Sequence, residues 1–148
     1  MKLKGQELNL SSVSAAIKAG IAYVPEDRKN LGLNLLDSIR TTIVSANLKA
    51  ILTGRLLDSN KELQAAEKSR KDLLIKTSSV DAGVTTLSGG NQQKVVLGKW
   101  MFTQPEVLIL DEPTRGIDVG AKYEIYQLIL DLANKGKTVI MVSSEMPE

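Results

Sequence analysis

Two acids and two glycines carry the chemistry available to this chain. Val107-Leu-Ile-Leu110 is a continuous apolar run that ends in Asp111 and Glu112. Such a run has the pattern of a strand covered on both faces. A carboxylate at its end can hold Mg²⁺, directly or through water, and the next carboxylate is placed to orient or deprotonate an attacking water. A strand can also simply end in two solvated acids, so the pair alone leaves both readings open. Pro113-Thr-Arg-Gly-Ile-Asp118 then forms a tight loop that returns an acid to the same edge. Upstream lies Leu87-Ser88-Gly89-Gly90-Asn91-Gln92-Gln93-Lys94, with Val107 thirteen residues beyond Lys94. Two glycines ahead of a helix let backbone N–H groups approach a phosphate closely, and the helix dipole favours the negative charge. The Ser88 hydroxyl adds a donor. Ser-Gly-Gly is also an ordinary turn; its order and distance relative to the Asp-Glu strand favour phosphate chemistry.

The elements that must position these groups follow from patterning. Residues 2–10 read as a short strand or hairpin arm. Ser11 and Ser12 can cap a short helix over Val13 to Ala19, stopped by Gly20. Ile21-Ala-Tyr-Val24 suits a buried strand ended by Pro25, and Glu26 to Asn34 reads as a charged loop. From Asp37, the spacing of Ile39, Ile43, Leu48 and Leu52 predicts a helix with one apolar stripe. Ser59-Asn-Lys-Glu62 reads as a capping box, opening a helix with Leu63, Ala66, Leu73 and Leu74 inside. Residues 76–86 form a loop, and Asn91 to Thr103 reads as helix. Ala121 to Lys135 is the clearest helix, with Ile125, Leu128, Ile129 and Leu132 on one stripe and Gly136 as its stop. Thr138 to Val142 reads as a second doubly buried strand.

Strand–helix–strand alternation predicts an α/β fold on a parallel sheet. One domain is expected over 1–148, with residues 1–36 and 101–148 as the α/β core and 37–100 as a helical insert.

Composition narrows the chemistry. The 148 residues contain no cysteine and no histidine, which excludes disulfides, thiolate metal sites and imidazole catalysis. Net charge is +2 with both signs interspersed, so nothing calls for nucleic acid or lipid as a partner. No apolar run approaches the roughly 18 residues of a membrane span, and the N-terminus is too polar for a secretory signal. An intracellular, soluble domain is expected.

Taken together, these motifs resemble the ATP-binding cassette of ABC transporters. Leu87 to Asn91 is similar to that family's signature motif, Val107 to Glu112 to its Walker B motif, and Ile117-Asp118 falls at its D-loop. Glu26-Asp-Arg-Lys29, Gly89 to Lys94, Pro113 to Gly120 and Ser143 to Glu148 resemble the second of two fused cassettes in bacterial monosaccharide importers of the ribose, galactoside and xylose type. The fold so implied is a partial P-loop NTPase sheet with an inserted helical subdomain. The implied ligands are ATP and Mg²⁺, with Asp111 on the metal and Glu112 as the catalytic carboxylate. Ser88, Gly89, Gly90, Asn91 and Gln92 would serve the nucleotide of a partner cassette, with Asp118, Glu26 and Ser144 also lining nucleotide sites. The resemblance further implies an ATPase powering sugar import. It would work with a second cassette, membrane permease subunits and, indirectly, a sugar-binding protein, at the inner face of the bacterial cell membrane.

The departures matter as much. No Gly-x-x-x-x-Gly-Lys-Ser/Thr occurs, so the phosphate loop is expected upstream of Met1 and the chain looks like part of a longer protein. Alone it is not expected to hydrolyse ATP. Glu26 stands where the family has a glutamine, and Ser144 where it has its switch histidine. An asymmetric pair follows, in which this chain's signature completes the competent site and its own Walker side is the weaker one. Arg28 and Lys29 are expected to be loop charges facing a permease or solvent.

Three alternatives remain. A DNA-repair or chromosome-maintenance ATPase would need long coiled coils, but only sixty residues separate Glu26 from Leu87. A translation-type ABC ATPase would carry basic linkers, and none is visible. A regulatory cassette that donates its signature without catalysing is the third.

Overall fold

The computed structural model describes residues 2–3, 5–8 and 10–144. In chain order the elements are β1 (Lys2–Leu3), β2 (Gln6–Glu7), α1 (Val13–Lys18), β3 (Ile21–Val24), α2 (Ile39–Val44), β4 (Leu52–Thr53), β5 (Leu56–Leu57), α3 (Ser59–Asp72), α4 (Gly89–Met101), β6 (Val107–Asp111), α5 (Val119–Asn134) and β7 (Thr138–Val142). The last part of the importer-like motif, residues 145–148, lies outside the described residues.

The central sheet is parallel, ordered β3-β6-β7, with Ile21 opposite Val107 and Val107 opposite Thr138. This is the parallel sheet that the strand–helix–strand alternation predicts. Parallel strands need crossover connections. The one from β3 to β6 carries α2, α3 and α4, and α5 makes the one from β6 to β7. Buried Ala22, Val24, Leu108 and Leu110 join Val95, Val96 and Leu97 of α4 in one core that continues to Ile39 and Ile43 of α2 and Ala66 of α3. Helix α4, placed in the helical insert by sequence, therefore also packs on the sheet. The stripe Ile125, Leu128, Ile129 and Leu132 of α5 is buried as expected.

Four expectations are corrected. The long helix from Asp37 is only six residues of α2, followed by a 3₁₀ segment, Ser45–Ile51, that breaks at Asn47 (φ −147°, ψ 59°). Hydroxyls explain the break: Thr42 donates back to the Ser38 carbonyl at 2.9 Å and Ser45 to that of Thr42 at 2.7 Å, competing with helical bonding. Leu48 is left exposed and Leu52 enters a hairpin strand. Asp58, not Ser59, caps α3, accepting from the Asn60 and Lys61 amides, while Glu62 turns to Thr41 and Arg40. Leu63 and Leu74, both expected inside, are exposed, Leu74 with a left-handed backbone (φ 52°).

The fourth concerns β7, whose apolar run predicts cover on both faces. Ile140, Met141 and Val142 are instead 44%, 46% and 54% exposed. Among the described residues β7 is an edge strand, and only Val139 packs against the core.

Candidate functional site

The parallel sheet brings its chemistry to the carboxyl ends of β3 and β6, where crevices in open α/β sheets bind ligands. Asp111 ends β6 half-buried, and Tyr23 of β3 donates its phenol proton to the Asp111 carboxylate at 2.7 Å. That hydrogen bond raises the Tyr23 pKa above its ordinary value. Glu112 follows with a left-handed backbone (φ 45°), a conformation that costs a non-glycine residue about 1–3 kcal/mol and concentrates at functional sites. The strain is held from β7: the Glu112 amide donates to the Val142 carbonyl at 2.9 Å. The Ser144 amide donates in turn to the Glu112 carboxylate, and the Ser143 hydroxyl lies 3.4 Å from it. Ser144 thus meets Glu112 through its main chain. Its hydroxyl makes no part of that contact.

The second group is built on the start of α4. Ser88 occupies the N-cap position with extended backbone, yet its side chain makes no cap hydrogen bond to the first-turn amides. Its hydroxyl oxygen accepts from the Asn91 side-chain amide at 3.0 Å. That leaves the hydroxyl proton free to donate outward. Asn91 is fixed on its other side, where its carbonyl oxygen accepts the Lys76 amide at 2.8 Å. Ser88 is exposed, Gly89 half-buried and Gly90 buried. The glycines have separate physical reasons. A Cβ at Gly90 would lie 2.5 Å from that of Ala121, so this position serves the close approach of α5. A Cβ at Gly89 would meet an Arg28 guanidinium nitrogen at 2.8 Å.

Gln92 is not brought to the surface turn. Its side chain is buried and donates to the Val84 carbonyl at 3.3 Å, because the residue lies on the core side of α4. Asp118 is exposed, but its carboxylate caps α5, accepting the Ala121 amide at 2.9 Å. Glu26 pairs with Arg115 at the surface. Arg28 does not face solvent as a simple loop charge. It opens a π turn, Arg28–Gly32, inside the expected loop and donates to the carbonyls of Arg115 (3.0 Å) and Gly116 (3.4 Å).

Sequence reasoning missed a buried ion network behind this turn. Lys94 is 1% exposed; its ammonium donates to Glu124 at 2.7 Å and to the Leu74 carbonyl at 2.9 Å. Lys76 reaches the other Glu124 oxygen at 2.8 Å. These two lysines, Lys76 foremost, hold the Glu124 carboxyl down to about 2. A signal was available: Lys94 lies on the inward row of Gly90, Leu97 and Gly98, and Glu124 on that of Ala121 and Leu128. Tyr23 gave none, since an aromatic residue in a strand reads as packing.

Among the described residues no three His, Cys, Asp or Glu side chains cluster closely enough to hold a metal by themselves. Asp111, at the carboxyl end of β6, would be the residue to hold Mg²⁺, an ion commonly bound through one or two carboxylates together with waters and phosphate oxygens. No helix in the described residues is long and apolar enough to cross a membrane.

A family model described as ABC transporter matches residues 1–115. The chain is 55% identical over 144 residues to the L-arabinose transport ATP-binding protein AraG of Geobacillus stearothermophilus, covering 97% of this chain and 28% of that protein. It is 51% identical over 148 residues to the galactose/methyl galactoside import ATP-binding protein MglA of Treponema pallidum, covering 100% and 30%. The chain therefore spans less than a third of the length of these relatives. In fold it is similar to cbiO1 from Clostridium perfringens, part of the ABC transporter complex cbiONQ, with a TM-score of 0.75 at 22% identity over 97% of this chain and 55% of that one. The family model over residues 1–115 and relatives more than half identical over nearly the whole chain lead to one conclusion: the chain belongs to the ABC transporter family.

Proposed function

We propose that this chain is the signature and Walker B portion of an ATPase that drives sugar import, and that it works across two nucleotide sites. One observation carries the reading: the first turn of α4 is presented at Ser88 and Gly89 without a side-chain cap. Orphan amides at a helix start are ready-made anion donors. Ser88, Gly89 and Asn91 face the γ-phosphate held by a second cassette, with Asn91 orienting the Ser88 hydroxyl. Gly90 contributes its amide while its missing side chain admits α5. Gln92 acts through the fold.

On the chain's own side, Asp111 is the ligand for Mg²⁺, which when bound neutralises phosphate charge, and Glu112 orients the attacking water. The loop enclosing the β- and γ-phosphates would come from outside these 148 residues. Sugar as the transported class rests on the relatives' names, AraG and MglA, which specify arabinose and galactoside transport. Permease subunits and a position on the inner membrane face belong to the same proposal.

The site is asymmetric. Glu26 is neutralised by Arg115 and offers no amide, and Ser144 lacks an imidazole, so the Walker side of this cassette is the weaker one. A signature-donating, non-catalytic cassette is the second reading, favoured by the hold that Ser144 and Ser143 keep on the Glu112 carboxylate. ATP turnover of the complete cassette pair, with and without its membrane partner, tests both. Ser88→Arg should abolish turnover and Glu112→Gln should cost less; equal losses reject the asymmetry. No loss from Glu112→Gln favours the non-catalytic reading.

A further inference from the structure

We infer that Arg28 is a positioning residue that locks the signature turn to the loop leaving the Walker B strand, so that the two nucleotide sites served by one cassette share a single geometry. Its functional half rests on the proposed function; its structural half does not.

The guanidinium is where the two segments meet. One of its terminal nitrogens donates to the Arg115 carbonyl at 3.0 Å, and the other donates to that of Gly116 at 3.4 Å. The second nitrogen also fills the space in front of Gly89, where a Cβ would stand 2.8 Å away. Gly116 is left-handed (φ 65°), as a residue in so tight a turn must be. A planar fork with fixed donors spans two carbonyls at once, which an ammonium on a flexible stem does less well. With both terminal nitrogens on carbonyls and its Nε buried without a partner, Arg28 is arranged as a strut between backbones.

The strut is anchored behind. Asp27 caps the π turn, accepting the Lys29 and Asn30 amides at 3.1 and 3.0 Å. At the far end of the turn the Gly32 carbonyl accepts Lys99 at 2.7 Å, and a Cβ on Gly32 would meet Val96 at 3.1 Å. The π turn therefore grips α4 at Gly89 and again at Val96 and Lys99, roughly 10–15 Å along the axis at 1.5 Å per residue. Tilting α4 against the turn breaks one grip or the other. The Glu26–Arg115 pair adds a second tie between the same two loops. Three residues of the motif Glu26-Asp-Arg-Lys29 are thus accounted for: Glu26 as pair, Asp27 as cap and Arg28 as strut.

Two measurements test this. Backbone ¹⁵N relaxation on this chain reads the lock without any nucleotide. Arg28→Gln should lower the order parameters of Gly89 and Gly116 together, from about 0.85 toward about 0.6, while α5 stays rigid. Gly89→Ala, which displaces the guanidinium, should loosen Gly116 in the same way, and adding Arg28→Gln to it should change nothing more. A Gly116 that stays rigid in both variants overturns the lock.

In the complete cassette pair, Arg28→Gln should lower kcat at least about 10-fold with KM for ATP nearly unchanged, as expected for misplaced rather than missing contacts, and Arg28→Lys should recover part of it. Unchanged turnover despite a loosened Gly116 overturns the functional role. A wild-type pair with no turnover would instead sink the proposed function, and the relaxation result alone would then decide Arg28.

Discussion

Replacing Glu124 by Gln should destabilise this chain more than removing the buried lysine that it serves. Lys94 is 1% exposed, and its ammonium has two partners, the Glu124 carboxylate at 2.7 Å and the Leu74 carbonyl at 2.9 Å. Glu124→Gln leaves a buried cation with neutral acceptors, the Leu74 carbonyl and at most the glutamine amide oxygen, and without the counter-charge it had. Breaking a buried pair from one side costs about 3–5 kcal/mol. Glu124 is 35% exposed, so water screens part of the interaction and the expectation falls to about 2–3 kcal/mol. For a domain near 150 residues that corresponds to a fall in Tm of about 5–10 °C. Lys94→Met removes the charge, fills similar space and leaves Glu124 with Lys76 and water, so it should cost under about 1 kcal/mol.

The pH dependence has a definite sign. The Glu124 carboxyl is lowered from 4.5 to about 2, so its contribution is complete above 4.5 and is lost as pH falls toward 2. The gap in stability between wild type and Glu124→Gln should therefore be constant near neutrality and close in that acid window. Urea unfolding across pH measures it. A Lys94→Met variant as unstable as Glu124→Gln, or a gap that survives below pH 2, would refute the reasoning.

Two further outcomes follow from the packing. Gly90→Ala puts a methyl group 2.5 Å from the Ala121 Cβ and should cost about 1–3 kcal/mol, with Ala121→Gly restoring much of it; unfolding midpoints of the single and double variants decide. The apolar edge of β7 should make this chain self-associate at high concentration, and Met141→Lys should suppress that with little change in Tm. A clean monomer in sedimentation, before any substitution, would count against the edge.

Much of the site was legible as sequence because its groups are local. Asp111 and Glu112 are adjacent at the end of an apolar strand, and Ser88 to Asn91 are consecutive at a helix start, so chain order alone brings each set together. The stripe of α5 was equally plain, since a 3.6-residue period needs no partner to be seen. The helix from Asp37 was misread because its apolar spacing is helical while its hydroxyls bond back to the chain. The cover over the two faces of β7 was misread because an apolar run does not say which elements pack on it.

By itself the sequence determined the α/β alternation, the parallel strands and the two motifs, for these are set by periodicity, capping and turn chemistry within a few residues of each other. Only the tertiary structure decided which partner each polar side chain of the candidate site takes. It turned Gln92 into the core, gave Asp118 a helix to cap, met Glu112 with the Ser144 amide, and set Arg28 across eighty-eight residues onto the Gly116 carbonyl. The physical reason is that a polar side chain is claimed by whichever unpaired backbone group or charge packing brings within reach. That partner is a property of the assembled sheet and helices, and no spacing along the chain encodes it.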